Sequence, residues 1–254
     1  MTVQLPNIRK LFVPDPGYML FEADLSGADA QVVAWEADDH DLKAAFRLGI
    51  KIHEKNAIDL FGERYTKAVG DRQDSGSPKG KIYKQTKTAV HATNYGASAF
   101  ALSRNPQVGW PLHQVESFQR SWFTLHSGVR DWHSRQETEL RTRRTATNRF
   151  GYRIIYFDRI DGLLPQALAW VPQSTVALVC FKGALALKRA MPFCEILLQV
   201  HDSVVFQVPF AHAERYSDFH RYLSVAVPYP DPLTIPWTLS KSEVSWGDCK
   251  EVKL

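Results

Sequence analysis

Residues 18–25, YMLFEADL, form an apolar and aromatic run behind the turn signal Pro14-Asp15-Pro16-Gly17, which predicts a buried strand ending on Asp24. From Ala28 to Phe61 the period changes. Val32, Val33, Trp35, Leu42, Ala45, Phe46, Ile52 and Leu60 recur at three- and four-residue steps, predicting two or three short helices. Residues 66–80 are dense in Gly, Ser, Asp and Lys and predict a mobile loop. A continuous helix is expected over 81–95, and two more, LHQVESFQRSWFTLH and VRDWHSRQETELRTRR, on either side of a break at Gly128.

Thr145 to Phe157 alternates enough for a hairpin with Gly151 at its turn, and Pro165 opens a long apolar helix reaching Arg189. EILLQV (195–200) and SVVFQV (203–208) read as strands separated only by His201-Asp202, so the acidic residue projects from a tight turn without glycine. A helix over 210–225, a Pro-rich turn over 228–236 and a closing strand, WTLSKSEVSW, complete the pattern. Strands at both ends of a helical middle predict an α+β fold, an antiparallel sheet with an inserted helical subdomain.

A chain of 254 residues, 44% hydrophobic and 23% charged, can bury a substantial core and is no disordered polymer. The net charge of +4 mildly favours a polyanionic partner. Three scattered cysteines, Cys180, Cys194 and Cys249, offer no disulfide framework or CxxC metal site and point to a reducing compartment. Neither a signal-peptide core nor a membrane-spanning run of 18 apolar residues is read, so a soluble intracellular protein with no membrane partner is expected.

Asp24 and Asp202 lie 178 residues apart (202 − 24), each at the end of an apolar strand. Two carboxylates so placed can hold two Mg²⁺ for phosphoryl transfer, the ions roughly 3.5 to 4 Å apart. Asp24 could instead cap a helix, and Asp202 could serve only its turn. Between them, Lys84, Lys87, His91 and Tyr95 step by three, four and four along one helix face. That stripe is about 16 Å long at ~1.5 Å per residue, which suits a nucleoside triphosphate with its phosphates near the lysines. Lysines alone would suit a solvated basic face; the imidazole and phenol aligned with them argue for a ligand. GSPKGK lacks Walker spacing, His201-Asp202-Ser203 comes without a nucleophile elbow, and His126 and His133 lack zinc-ligand spacing.

LPNIRKLFVPDPGYMLFEADLSGADAQ, KIHEKNAIDLFG, KQTKTAVHATNYGASAF, LAWVPQSTVA and QVHDSVVF, in that order, resemble the motifs of family A DNA polymerases. The terminal VSWGD is similar to the family's closing strand. The resemblance implies a right-hand polymerase fold with palm at about 1–30 and 145–254 and fingers at about 31–144. It implies DNA-directed DNA synthesis from dNTP on primer-template DNA, with Asp24, Asp202 and the Leu25 carbonyl holding two Mg²⁺. Lys87 maps onto the catalytic lysine of the fingers helix, His53 onto a phosphate-contacting histidine, and Tyr95 onto the tyrosine beside the base. Gln173 and His201 map onto template and primer contacts.

The departures are specific. Asp29 takes the place of a glutamate that crowds the sugar 2′ position, His91 that of a Phe or Tyr, and Ser203 that of a glutamate. Tyr83 stands where the resemblance implies an arginine, and Lys84 is the expected replacement for its charge. His91 is similar to one branch of bacteriophage enzymes, which implies a phage protein acting in the cytoplasm of a bacterial host. Thumb, first palm segment and exonuclease have no counterpart here. The alternative is therefore a truncated or split polymerase, inactive until a separate chain supplies them.

Overall fold

The computed structural model describes residues 7–157 and 159–252. Leu5 and Pro6 of the first motif lie outside them. Strand β1 (Tyr18–Leu25) leads into helices α1 (Ala28–Glu36), α2 (His40–Arg47), α3 (Ile52–Phe61), α4 (Glu63–Thr66), α5 (Pro78–Asn94), α6 (Ala99–Ser103), α7 (Leu112–Leu125) and α8 (Ser127–Arg143). A hairpin of β2 (Thr145–Thr147) and β3 (Arg153–Ile155) precedes the long α9 (Leu164–Ala190). Then come β4 (Glu195–Val200), β5 (Ser203–Pro209), α10 (Tyr216–Leu223), β6 (Ala226–Val227), β7 (Leu233–Thr234), β8 (Trp237–Ser242) and β9 (Lys250–Glu251). The fold is α+β with antiparallel sheets, as the pattern predicts.

Two compact units divide the chain: Met1–Ala28 with Gln173–Leu254, and Asp29–Pro172. The first is built on a five-stranded antiparallel sheet in the order β4-β5-β1-β8-β9. β1 sits at its centre because its run of apolar residues can be buried, and Met19, Leu20, Phe21, Ala23 and Leu25 are. Phe21 stacks on Phe206 of β5 at 5.4 Å, and Phe219 of α10 meets both rings edge-on at 5.2 and 5.5 Å. Each buried ring of this kind contributes about 1.5 to 3 kcal/mol.

In the second unit, Val33 and Ala37 of α1 and its end pack with Val129, Trp132 and Leu140 of α8. Ala146, Tyr156, Ala167, Leu168 and Val171 join the same core. The hairpin and the start of α9 therefore pack with the helices, in a compact unit that runs to Pro172. Strand alternation could predict the hairpin but not the core that its inner face joins.

Two expectations are corrected. β8 ends at Ser242 and VSWGD is not a strand: the Ser242 hydroxyl accepts from the amides of Val244 and Ser245, and Trp246–Asp248 form a 3-10 turn. Side-chain acceptors there outcompete a sheet ladder. α9, at 27 residues, is by length and composition long and apolar enough to cross a membrane. Its apolarity has a local use, since Val171, Val176, Val179, Cys180 and Leu187 are buried within the protein. Of the expected loop over 66–80, residues 67–77 are irregular and 78–80 already belong to α5: the Ser77 hydroxyl donates to the Asp71 and Asp74 carbonyls and accepts from the Gly80 amide, capping α5.

Candidate active site

In the sheet unit, β1 alternates so that Ala23 and Leu25 are buried while the Asp24 side chain between them is exposed. Asp24 pairs across the sheet with Ser203 on one side and Thr238 on the other. Asp202 immediately precedes Ser203 in the β4–β5 turn, and its carbonyl accepts from the Leu25 amide at 3.0 Å. That turn contains His201 at φ +54°, a left-handed conformation that a non-glycine residue adopts at some cost. The Gln199 amide donates to the His201 carbonyl at 2.6 Å and helps to hold it.

The electrostatics of Asp24 are unusual for a side chain that reaches solvent. Partial desolvation by the surrounding protein comes first, then the negative charges of Asp202 and Glu22, and together they push its carboxyl up to about 6 against the opposing Arg9. An all-oxygen donor set whose members repel one another fits a hard divalent cation. Among the described residues no group of three or more His, Cys, Asp or Glu could hold a metal. Two carboxylates would therefore need backbone, water or substrate oxygens to complete a shell, the usual manner of Mg²⁺.

In the helical unit, α5 carries Lys84, Lys87 and His91 to one cleft of about 750 Å³, lined also by Tyr83, Thr88, Arg72, Asn105 and Gln107. No carboxylate is among its lining residues. Lys84, Lys87 and His91 are exposed to it. His53 of α3 faces the same helix, its ring 6.4 Å from that of Tyr83. Burial first, then the Lys87 and His91 charges, lower its pKa to about 4, and its Nδ1 is buried without a partner. The imidazole is thus neutral at pH 7.

Tyr95 does not line the cleft. It stands at the C-cap of α5, edge-on to His91 at 4.4 Å, and Asp29 acts on both. Burial first, then the charge of the neighbouring Asp29, raise the Tyr95 phenol. Burial lowers the His91 imidazole while Asp29 works the other way. Gln173 is exposed on α9 directly after Pro172. Arg72 is the charged cleft residue that the sequence pattern missed. Nothing in its Gly- and Ser-rich surroundings marks it apart from its charge.

Sequence comparison decides the family. The family model described as DNA polymerase family A matches residues 2–238. The chain belongs to DNA polymerase family A. This family A chain is 32% identical over 217 residues to a thermostable DNA polymerase I of Thermus filiformis, covering 82% of the chain and 25% of that relative. It is 27% identical over 228 residues to a DNA polymerase I of Rhizobium leguminosarum, covering 84% and 21%. The chain thus spans about a quarter of the length of these relatives. Both are bacterial, and the expected phage branch finds no support in them. The solved POL domain of Pol1 from M. smegmatis, in complex with DNA primer-template and dNTP, shares the fold at a TM-score of 0.79 and 21% identity. The match covers 98% of the family A chain and 44% of that domain.

Proposed function

We propose that the chain is the catalytic region of a template-directed DNA polymerase, the sheet unit acting as palm and the helical unit as fingers. The observation that carries this reading is the Asp24–Asp202 pair, two mutually repelling carboxylates fixed by backbone hydrogen bonding at the end of the central strand of a family A fold. Two Mg²⁺ held by Asp24, Asp202 and the Leu25 carbonyl would supply an activated primer 3′-oxygen and charge stabilisation of the departing pyrophosphate.

The remaining roles fall to side chains. Lys87 and Lys84 supply fixed positive charge to the β- and γ-phosphates of a dNTP, where preorganised charge contributes most. His53, neutral at pH 7, donates a hydrogen bond to the phosphates and not a charge. Tyr95 forms the base-side wall, and Asp29, whose charge acts on both Tyr95 and His91, stands beside the sugar with His91. His201 and Gln173 contact primer and template.

Primer extension by the protein with and without Mg²⁺, with Asp24→Ala as control, tests the reading. Extension by the variant at the parental rate would remove it. The limited span of the match favours a second arrangement, in which polypeptide beyond these 254 residues is required to hold the duplex. Duplex affinity of the 254-residue chain distinguishes the two: weak, steeply salt-dependent binding and no extension support the second.

A further inference from the structure

The cleft beside α5 collects Arg72, Lys84 and Lys87 with no carboxylate among its lining residues, and among the described residues neither lysine forms an ion pair. Such a surplus of fixed positive charge in a concave site attracts a polyanion. Arg72 differs from the two lysines in being held. Its guanidinium donates to Glu54, which also accepts from the Tyr65 hydroxyl at 3.4 Å, and it lies 6.0 Å from the centre of the Tyr83 ring. Only 17% of the Arg72 side chain is exposed.

The backbone also brings Arg72 towards the cleft. A Cβ on Gly80 would lie 1.9 Å from the Asp74 carbonyl oxygen and 2.9 Å from that of Asp71, so only glycine lets the 71–74 segment lie against α5. The Ser77 hydroxyl ties the same two carbonyls at 2.7 and 2.9 Å. Arg72 thus reaches the cleft already ordered. A guanidinium has five donors, and the bond to Glu54 leaves donors that can meet phosphate oxygens.

We propose that Arg72 is a third phosphate-binding cation of this cleft, positioned by Glu54. The triphosphate tail of a nucleotide then lies between Arg72 on the loop and Lys84 and Lys87 on α5. The inference rests on the nucleotide-binding reading above and deepens it: phosphate recognition comes from a loop residue as well as from the helix.

Equilibrium binding of mant-dATP and mant-dAMP to the intact protein tests it, with Arg72→Gln, Arg72→Lys and Lys87→Gln compared at equal thermal midpoint. Arg72→Gln is expected to weaken mant-dATP by about tenfold or more and to leave mant-dAMP within about twofold, with Arg72→Lys recovering most of the loss. If Arg72→Gln unfolds, the double variant Glu54→Gln/Arg72→Gln leaves no unpaired charge and gives the same comparison. Parental mant-dATP binding by the Arg72 variants alongside weakened binding by Lys87→Gln would overturn the proposal and leave the nucleotide cleft standing. Equal loss of both ligands in Arg72→Gln would overturn it too, marking Arg72 as a loop brace. Parental binding by Lys87→Gln as well would remove the nucleotide reading itself.

Discussion

The amide of Leu25 donates to the carbonyl of Asp202 at 3.0 Å, so the strand end that carries Asp24 is tied to the turn that carries Asp202. The bond is between backbone groups, and truncating either carboxylate leaves it intact. Asp24→Ala and Asp202→Ala should therefore fold normally and lose Mg²⁺-dependent primer extension by about a thousandfold or more. Near-parental extension by either, measured at saturating dNTP, would contradict the two-carboxylate mechanism.

Asp24 also has a stability signature. Its folded value of about 6 lies above that of an ordinary carboxyl, so the folded protein holds this proton more tightly than the unfolded chain. Stability falls as pH rises from the ordinary carboxylate value through about 6, and the loss persists above it. Asp24→Asn removes the loss. In EDTA its thermal midpoint should exceed the parent's at pH 7, and the difference should shrink towards zero near pH 4.

Lys87 is exposed in the cleft and contributes little to packing. Lys87→Ala should leave the thermal midpoint unchanged and lower kcat/KM for dNTP by about 10- to 100-fold. Steady-state extension under limiting dNTP reads this directly, and an unchanged kcat/KM removes the residue from the site.

Gly80 lies where a side chain has no room, its virtual Cβ 1.9 Å from the Asp74 carbonyl oxygen. Gly80→Ala must push the loop off α5, at about 1 to 3 kcal/mol of stability. Urea unfolding gives the stability, and triphosphate affinity should fall with it because Arg72 rides on the same loop.

Asp39 and His126 form a buried pair at 2.9 Å, both under a tenth exposed. Burial opposes the Asp39 charge, but the His126 hydrogen bond and the Leu42 amide outweigh it and hold its carboxyl below the ordinary range. That stabilisation is present above the ordinary carboxylate value and is lost as pH falls through the lower folded one. His126→Ala leaves the carboxylate buried without its partner and should cost about 3 kcal/mol at pH 7 by urea unfolding.

Much of the candidate site was legible along the chain. Lys84, Lys87 and His91 do share one cleft, because helical period is a local property and α5 has Ser77 to start it and no internal break. Tyr95 shares the stripe but not the cleft, since at the C-cap its backbone has already left helical geometry. Arg72 was invisible, because its place depends on Glu54 eighteen residues earlier and on a backbone approach that a side chain at position 80 would forbid.

By itself the sequence determined most of the strands and helices and the stripe of Lys84, Lys87 and His91 on one helix face, since period, turn residues and capping act over a few positions. Tertiary structure alone decided that Asp24 is raised to about 6, that Arg72 enters the cation cleft, and that the 145–155 hairpin joins the helical core. Each of those depends on what distant segments place beside a residue. Burial, charge and close backbone contact between such segments leave no period in the chain.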